Sequence, residues 1–125
     1  MEKKEDLIKD FKIAIASTAK SVSNTDEVEV VFGNQDLERE KKIIKLPELE
    51  SINNKIDYIK ARALADSEAL KIKYSDKGIL KSQEPDGNIS KKLYSIAEKI
   101  RYEKLGSLEF KGIKKNINTS YIEKL

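Results

Sequence analysis

Four segments of the chain carry apolar residues at steps of three or four positions, the spacing of one face of an α-helix. The same period recurs along most of the sequence and predicts helices near residues 5–22, 53–74, 88–105 and 109–123. A chain patterned in this way must pack its helices around a shared apolar core. The first segment shows the pattern with Leu7, Ile8, Phe11, Ile15, Ala19 and Val22.

Two short segments interrupt the helical pattern. The stretch VEVVF at 28–32 is rich in β-branched residues and is followed by Gly33, and KIIKL at 42–46 is followed by Pro47. Such runs are typical of strands. We expect the two strands to pair as an antiparallel ribbon, which must pack on the helices because it is not stable alone. The sequence therefore predicts an α+β fold, mostly helical, with about four helices and a small two-stranded antiparallel ribbon.

Turn-forming residues indicate where the helices end. Gly78 and Gly106 are expected to stop the second and third helices, and Asn88 or Ser90 is expected to cap the third. Residues 79–88 contain Pro-Asp-Gly and are interpreted as a turn or a loose helical piece. The predicted core combines the inward faces of these elements and comprises Phe11, Ile15, Val30, Ile56, Ile59, Leu70, Leu93, Ile96, Ile100 and Ile113.

The composition excludes most self-contained catalysis. The 125 residues suit one domain, and they include no cysteine and no histidine, so the commonest nucleophile pairs and transition-metal ligands are absent. No phosphate-binding loop, dinucleotide fingerprint or zinc-protease motif occurs. We therefore expect no catalytic, cofactor-binding or metal-binding residue in this chain. No apolar run is long enough to span a membrane and no secretory signal precedes the first helix, so a cytoplasmic protein is expected.

The charge is unevenly distributed. Residues 1–50 hold 9 Lys and Arg against 12 Asp and Glu, whereas residues 51–125 hold 16 against 10. A basic half can bind nucleic acid, and a basic helical nucleic-acid-binding module is the alternative function. However, the lysines are mixed with acids on helical faces and no aromatic residues interleave with them, so a solvated surface is favoured.

Arginine is rare, with three residues against 22 lysines, and two of the arginines lie near acids on predicted helices. A guanidinium can hold a carboxylate in two places, which Lys cannot do. We hypothesise that the second and third helices pack together and that Asp66 meets Arg101, with Glu98 or Glu103 closing a polar network. This network would fix the angle between helices that present a partner-binding surface. Its candidate residues are Arg62, Asp66, Ser67, Glu98, Arg101 and Glu103.

Several segments, in order, resemble the N-terminal region of the CobT subunit of aerobic cobaltochelatase. FKIAIASTAKSVSNTDEVEVVFG (11–33) is similar to the opening helix and strand of that family, and RALADSEALKIKYSD (62–76) to its Arg-Gly-x-Ala-Asp-Ser-x-Ala-Leu helix. IAEKIRYEKLGS (96–107) and FKGIKKNI (110–117) resemble the segments that follow. The resemblance spans about residues 8–125. Three positions depart from the family pattern: Ala63 replaces a Gly, Lys99 a Gln, and Ser75 a His.

The resemblance implies a non-catalytic N-terminal module of an ATP-dependent cobaltochelatase, a ligase that inserts cobalt into hydrogenobyrinic acid a,c-diamide during cobalamin biosynthesis. It implies a hetero-oligomer with a CobS-like AAA+ ATPase subunit and a CobN-like large subunit, and no nucleic acid or membrane. ATP and cobalt are implied for the complex, and neither is expected to bind this chain. Residues 1–125 are interpreted as one domain of a longer protein, with an acidic linker and a von Willebrand A-type domain expected beyond residue 125.

Overall fold

The computed structural model describes residues 2–25, 27–33, 42–48 and 55–124. In chain order, the described residues form α1 (Glu2–Ser23), β1 (Val28–Phe32), β2 (Lys42–Leu46), α2 (Lys55–Tyr74), α3 (Lys77–Ser82), α4 (Asn88–Glu109) and α5 (Lys111–Lys124). The predicted α+β, mostly helical class is confirmed, and the strands lie where the sequence places them. These residues contain one more helix than expected.

The helix α2 lies at the centre of the fold. It contacts α1, α4, α5 and β2. This is possible because the positions it buries are mostly small, so neighbouring backbones can approach from several sides. A ring contact supports the α1 side, where Phe11 and Tyr58 meet edge to face with their centroids 4.4 Å apart. The buried apolar residues of α2 are Ala61, Ala63, Ala65, Ala69 and Leu70.

The two strands pair in parallel, so the predicted antiparallel ribbon is wrong. Val28 pairs with Lys42 and Phe32 pairs with Leu46. A tight hairpin would have forced antiparallel pairing, but nine residues separate the two strands. Parallel pairs usually have longer connections, but nine residues reach about 30 Å when extended and can return along a five-residue strand of about 17 Å, so chain length permits either direction. The ribbon packs on α1 and α2 and buries Val28, Val31, Ile44 and Leu46.

Part of the predicted core is confirmed. Ile15, Leu70 and Ile113 are buried. Three more predicted residues are partly buried, namely Phe11, Val30 and Ile59. The side chain of Ile56 lies outside the described residues.

The predicted core residues of α4 are exposed, which is the main error of the sequence analysis. Leu93 is 62% exposed, Ile96 55% and Ile100 62%. The helix instead buries Tyr102, Glu103 and Gly106. The apolar period correctly predicts a helix, but the face that packs on the rest of the domain is a different one, with polar, aromatic and glycine positions.

The ends of α3 and α4 also differ from the expectation. Gly78 lies inside α3, which begins after Asp76; the Asp76 carboxylate accepts hydrogen bonds from the backbone N–H groups of Gly78 at 2.9 Å and Ile79 at 3.0 Å. The N-cap of α4 is Gly87, not Asn88 or Ser90, and its φ of +93° is a conformation that glycine adopts without strain. The predicted helix stop at Gly78 and the predicted N-cap at Asn88 or Ser90 are therefore both wrong.

Gly106 does not end α4, which continues to Glu109. It lies instead where α4 approaches α2. A Cβ at this position would overlap the Leu70 side chain, at 2.8 Å from its Cγ. Glycine is therefore used here for a close helix–helix approach, although it lowers the intrinsic stability of the helix.

We expect Gly106→Ala to destabilise the protein by about 1–2 kcal/mol, because overpacking against Leu70 outweighs the gain in helix propensity. Urea unfolding followed by circular dichroism measures this. The matched control is Gly112→Ala in α5, where a Cβ meets nothing within 4 Å and should stabilise by about 0.5 kcal/mol. Equal effects of the two substitutions would contradict the close approach.

Candidate functional site

A carboxylate from α4 is held between α2 and α5. Glu103 is 7% exposed and accepts two hydrogen bonds, one from the Ser67 hydroxyl on α2 and one from the Tyr121 hydroxyl on α5 at 2.6 Å. A buried carboxylate needs such donors, since it has left water. Because the two donors come from different helices, the arrangement ties three helices together at one point.

The two tyrosines beside this carboxylate stay protonated over the physiological range. Burial, together with the hydrogen bond to Glu103, raises the pKa of Tyr121 to about 12. Burial likewise raises the pKa of Tyr102 to about 12, with a hydrogen bond between Tyr102 and Ser67 acting in the opposite direction. Tyr121 therefore acts as a fixed hydrogen-bond donor to Glu103, and neither phenol is poised as a general base near neutral pH.

A second buried carboxylate faces α5. Asp66 is 3% exposed, and its Oδ2 accepts a hydrogen bond from the Asn116 side-chain amide at 3.2 Å. Burial raises the pKa of Asp66, and the Asn116 hydrogen bond and the charge of Arg62 oppose that rise. Arg62 thus acts on the neighbouring carboxylate from one turn earlier on the same helix.

Arg101 joins α4 to the C-terminus of α2. Its Nε donates to Glu98 Oε1 at 2.8 Å, and its guanidinium donates to the backbone carbonyl of Tyr74 at 2.7 Å. The Ser75 hydroxyl also donates to Glu98 Oε1, at 3.0 Å. The hydrogen bond from Arg101 lowers the pKa of Glu98. A cation bound to the last carbonyls of a helix is favourable for both the hydrogen bond and the helix dipole.

The structure brings the six candidate residues to three places. The packing of α2 on α4 is confirmed, and Ser67 meets Glu103. The predicted contact between Asp66 and Arg101 is wrong. Arg101 binds at the end of α2, eight residues beyond Asp66, which is about 12 Å along the helix axis. The candidate residues therefore take part in separate contacts rather than one network.

The sequence analysis missed two partners of these carboxylates on α5. Asn116 and Tyr121 flank the apolar positions Ile113 and Ile117, which are buried. Residues at such spacings share a helix face. Polar residues on the otherwise apolar face of α5 are therefore the sequence feature that indicates these two partners. Ser75, which departs from the family pattern, also makes a contact that the sequence does not reveal: it links the segment just after α2 to α4.

A cavity of about 200 Å³ lies beside Glu103 and is lined by Lys60, Leu64 and Lys99, among other residues. Within the described parts of the chain, no group of three or more acidic, histidine or cysteine residues could hold a metal ion, and no helix is long and apolar enough to cross a membrane.

Fold and site together define a small helix-rich α+β domain in which polar contacts join a central helix to its neighbours. The profile of the family described as cobalamin biosynthesis protein CobT matches residues 5–125. The chain therefore belongs to the CobT family, which connects it to cobalamin biosynthesis, and the family resemblance noted in the sequence is confirmed. No solved structure matches the chain.

We expect Ser67→Ala to destabilise the protein by about 1–3 kcal/mol, because it removes one of the two donors to a buried carboxylate. Urea unfolding at neutral pH measures the loss. The control is Ser95→Ala, at an exposed position of α4, which should change stability by less than about 0.5 kcal/mol. A loss at Ser67 no larger than that of the control would show that Glu103 does not depend on this donor.

The raised pKa of Asp66 predicts a specific pH dependence. Its protonated form is favoured in the folded state, so the stability from this group is fully present below its ordinary pKa of 3.8 and is lost as pH rises through the folded value. The unfolding free energy of the wild type should therefore fall relative to that of Asp66→Asn as pH rises from about 3.8 towards neutrality. Urea melts across this range measure the difference.

The control for this pH series is Asp86→Asn, at an exposed position of the loop between α3 and α4. This variant should keep the pH dependence of the wild type, since Asp66 is intact. A constant difference between the wild type and Asp66→Asn at every pH would contradict the raised pKa.

Proposed function

We propose that this chain is a non-catalytic module of a CobT-like subunit of an ATP-dependent aerobic cobaltochelatase, which inserts cobalt into hydrogenobyrinic acid a,c-diamide during cobalamin biosynthesis. Its role is to hold the partner subunits, a CobS-like AAA+ ATPase and a CobN-like large subunit, in one hetero-oligomer. The observation that carries the proposal is the family match over residues 5–125.

The polar contacts of α2 support an assembly role. Ser67, Tyr121 and Glu103 join three helices through two hydrogen bonds to one buried carboxylate. Arg101 likewise joins the end of α2 to α4. A domain held in this way keeps a constant surface, which suits a part that transmits movement from an ATPase to a chelating subunit.

The side chains of this chain do not fit ATP or cobalt as bound groups. There is no histidine or cysteine and no phosphate-binding loop, and hard-oxygen ligands do not cluster among the described residues. Cobalt is the substrate of the proposed complex, and ATP is the substrate of its AAA+ subunit.

Reconstitution tests the proposal. We expect the purified protein to form a complex with a CobS-like ATPase subunit, measured by sedimentation velocity, and to be required for ATP-dependent cobalt insertion when the CobN-like subunit is added. The protein alone should hydrolyse no ATP. Calorimetric titration of the protein alone with Co²⁺ should show no stoichiometric site of micromolar or better affinity.

Two results would contradict this function. The first is cobalt insertion at an unchanged rate when the protein is omitted. The second is tight binding to nonspecific DNA that weakens steeply with salt, which is the behaviour of a nucleic-acid-binding module.

A further inference from the structure

The helix α4 carries a second apolar face that the described residues of this domain leave exposed. Four residues form it, and we call them the α4 stripe: Ile89 is 77% exposed, Leu93 62%, Ile96 55% and Ile100 62%. Singly exposed apolar residues are common on protein surfaces, but a row of large ones on one helix marks an interaction site. The domain packs on another face of the helix, through Tyr102 and Gly106.

The spacing of the α4 stripe is that of a helix-packing seam. Its residues follow one another at steps of four, three and four positions, which is the alternation of the a and d positions in a coiled coil. A seam of this kind accepts the apolar face of another α-helix, whose side chains insert between its own. The shape of the surface therefore points to a helical occupant.

The exposed charges of α4 beside the stripe have one sign. The carboxylates of α4 are occupied within the domain: Glu98 with Arg101, Glu103 with Ser67 and Tyr121, and Glu109 with Lys73. On the helical wheel, Lys92 and Lys99 border the stripe on one side and Lys104 borders it on the other. The seam is thus apolar in the middle and basic at its rims.

We propose that the α4 stripe binds an amphipathic helix of a partner protein whose apolar face is bordered by Asp and Glu. Acidic rims would complement the lysines and steer the encounter. A second copy of this chain is disfavoured, because its stripe would bring lysines against lysines. The four side chains also expose a few hundred Å², short of the ~800 Å² per partner that a stable dimer buries. This inference rests on the proposed assembly function and identifies where a partner subunit would attach.

Two synthetic peptides of about three heptads test the site. Both carry Leu at the a and d positions; one has Glu and the other Lys at the flanking positions. Titration into the ¹⁵N-labelled protein, followed by backbone amide shifts, should place the Glu peptide on residues 89–104. We expect it to bind at least about tenfold more tightly than the Lys peptide and more weakly as salt is raised.

The test variant combines Leu93→Ser with Ile96→Ser. The matched control is Ile13→Ser. Ile13 is 58% exposed on α1, a helix that does not contact α4. The double variant should no longer bind the Glu peptide, and the control should bind it as the wild type does. All three side chains are exposed, so thermal melts of both variants should match that of the wild type.

Three results would overturn the proposal. They are equal binding of the two peptides, amide shifts centred outside residues 89–104, and binding of the Glu peptide to the double variant as tight as to the wild type. A dimer of the free protein that the double variant abolishes would assign the stripe to a second copy and overturn it as well. The reconstitution separates this inference from the proposed function. If an ATPase subunit binds the double variant as tightly as the wild type, the assembly function is supported. The α4 stripe is then not the site at which that subunit binds. If no ATPase subunit binds the wild type, the assembly function fails and the peptide titration alone decides the stripe.

Discussion

The packing of Leu70 against Gly106 determines how closely α2 and α4 approach. Leu70 is fully buried, and the missing side chain at residue 106 gives it room. The alanines of α2 extend the same principle to the other sides of the helix, where α1, α5 and β2 pack. The packing around α2 therefore depends on small side chains that allow short distances between elements.

Buried polar groups then restrict which arrangement of these helices is stable. Close packing of small residues alone tolerates sliding, because apolar contacts have little direction. The carboxylate of Glu103 removes this freedom, since its donors Ser67 and Tyr121 lie on different helices. Moving any of the three would leave a buried charge without a donor, which costs about 1–3 kcal/mol or more. Asp66 and Asn116 act in the same way between α2 and α5.

Sequence periodicity predicts where the helices and strands lie better than it predicts how they pack against one another. Strands at 28–32 and 42–46 and four of the helices follow from local patterns, which residues i, i+3 and i+4 determine by themselves. The parallel direction of the ribbon depends on how the nine-residue connection returns, and chain length permits both directions. An apolar face such as that of Leu93 and Ile100 indicates a surface to be covered, but not whether this domain or a partner covers it. The pairing of Arg101 with Tyr74 rather than Asp66 depends on where two helices cross, which no spacing within one helix reveals.

The crossing at Gly106 also gives α4 a mechanical property. From Gly106 the helix extends about 25 Å back to Ile89, and most of its side chains in this stretch are exposed. The contacts with the end of α2 described above, and a hydrogen bond from the Tyr94 hydroxyl to the Leu80 carbonyl, hold it part of the way along. A rigid rod held in this way can act as a lever. A tilt of about 10° at the crossing would move the far end by about 4 Å, and a force applied at that end would return to α2 as torque on Leu70 and its neighbours.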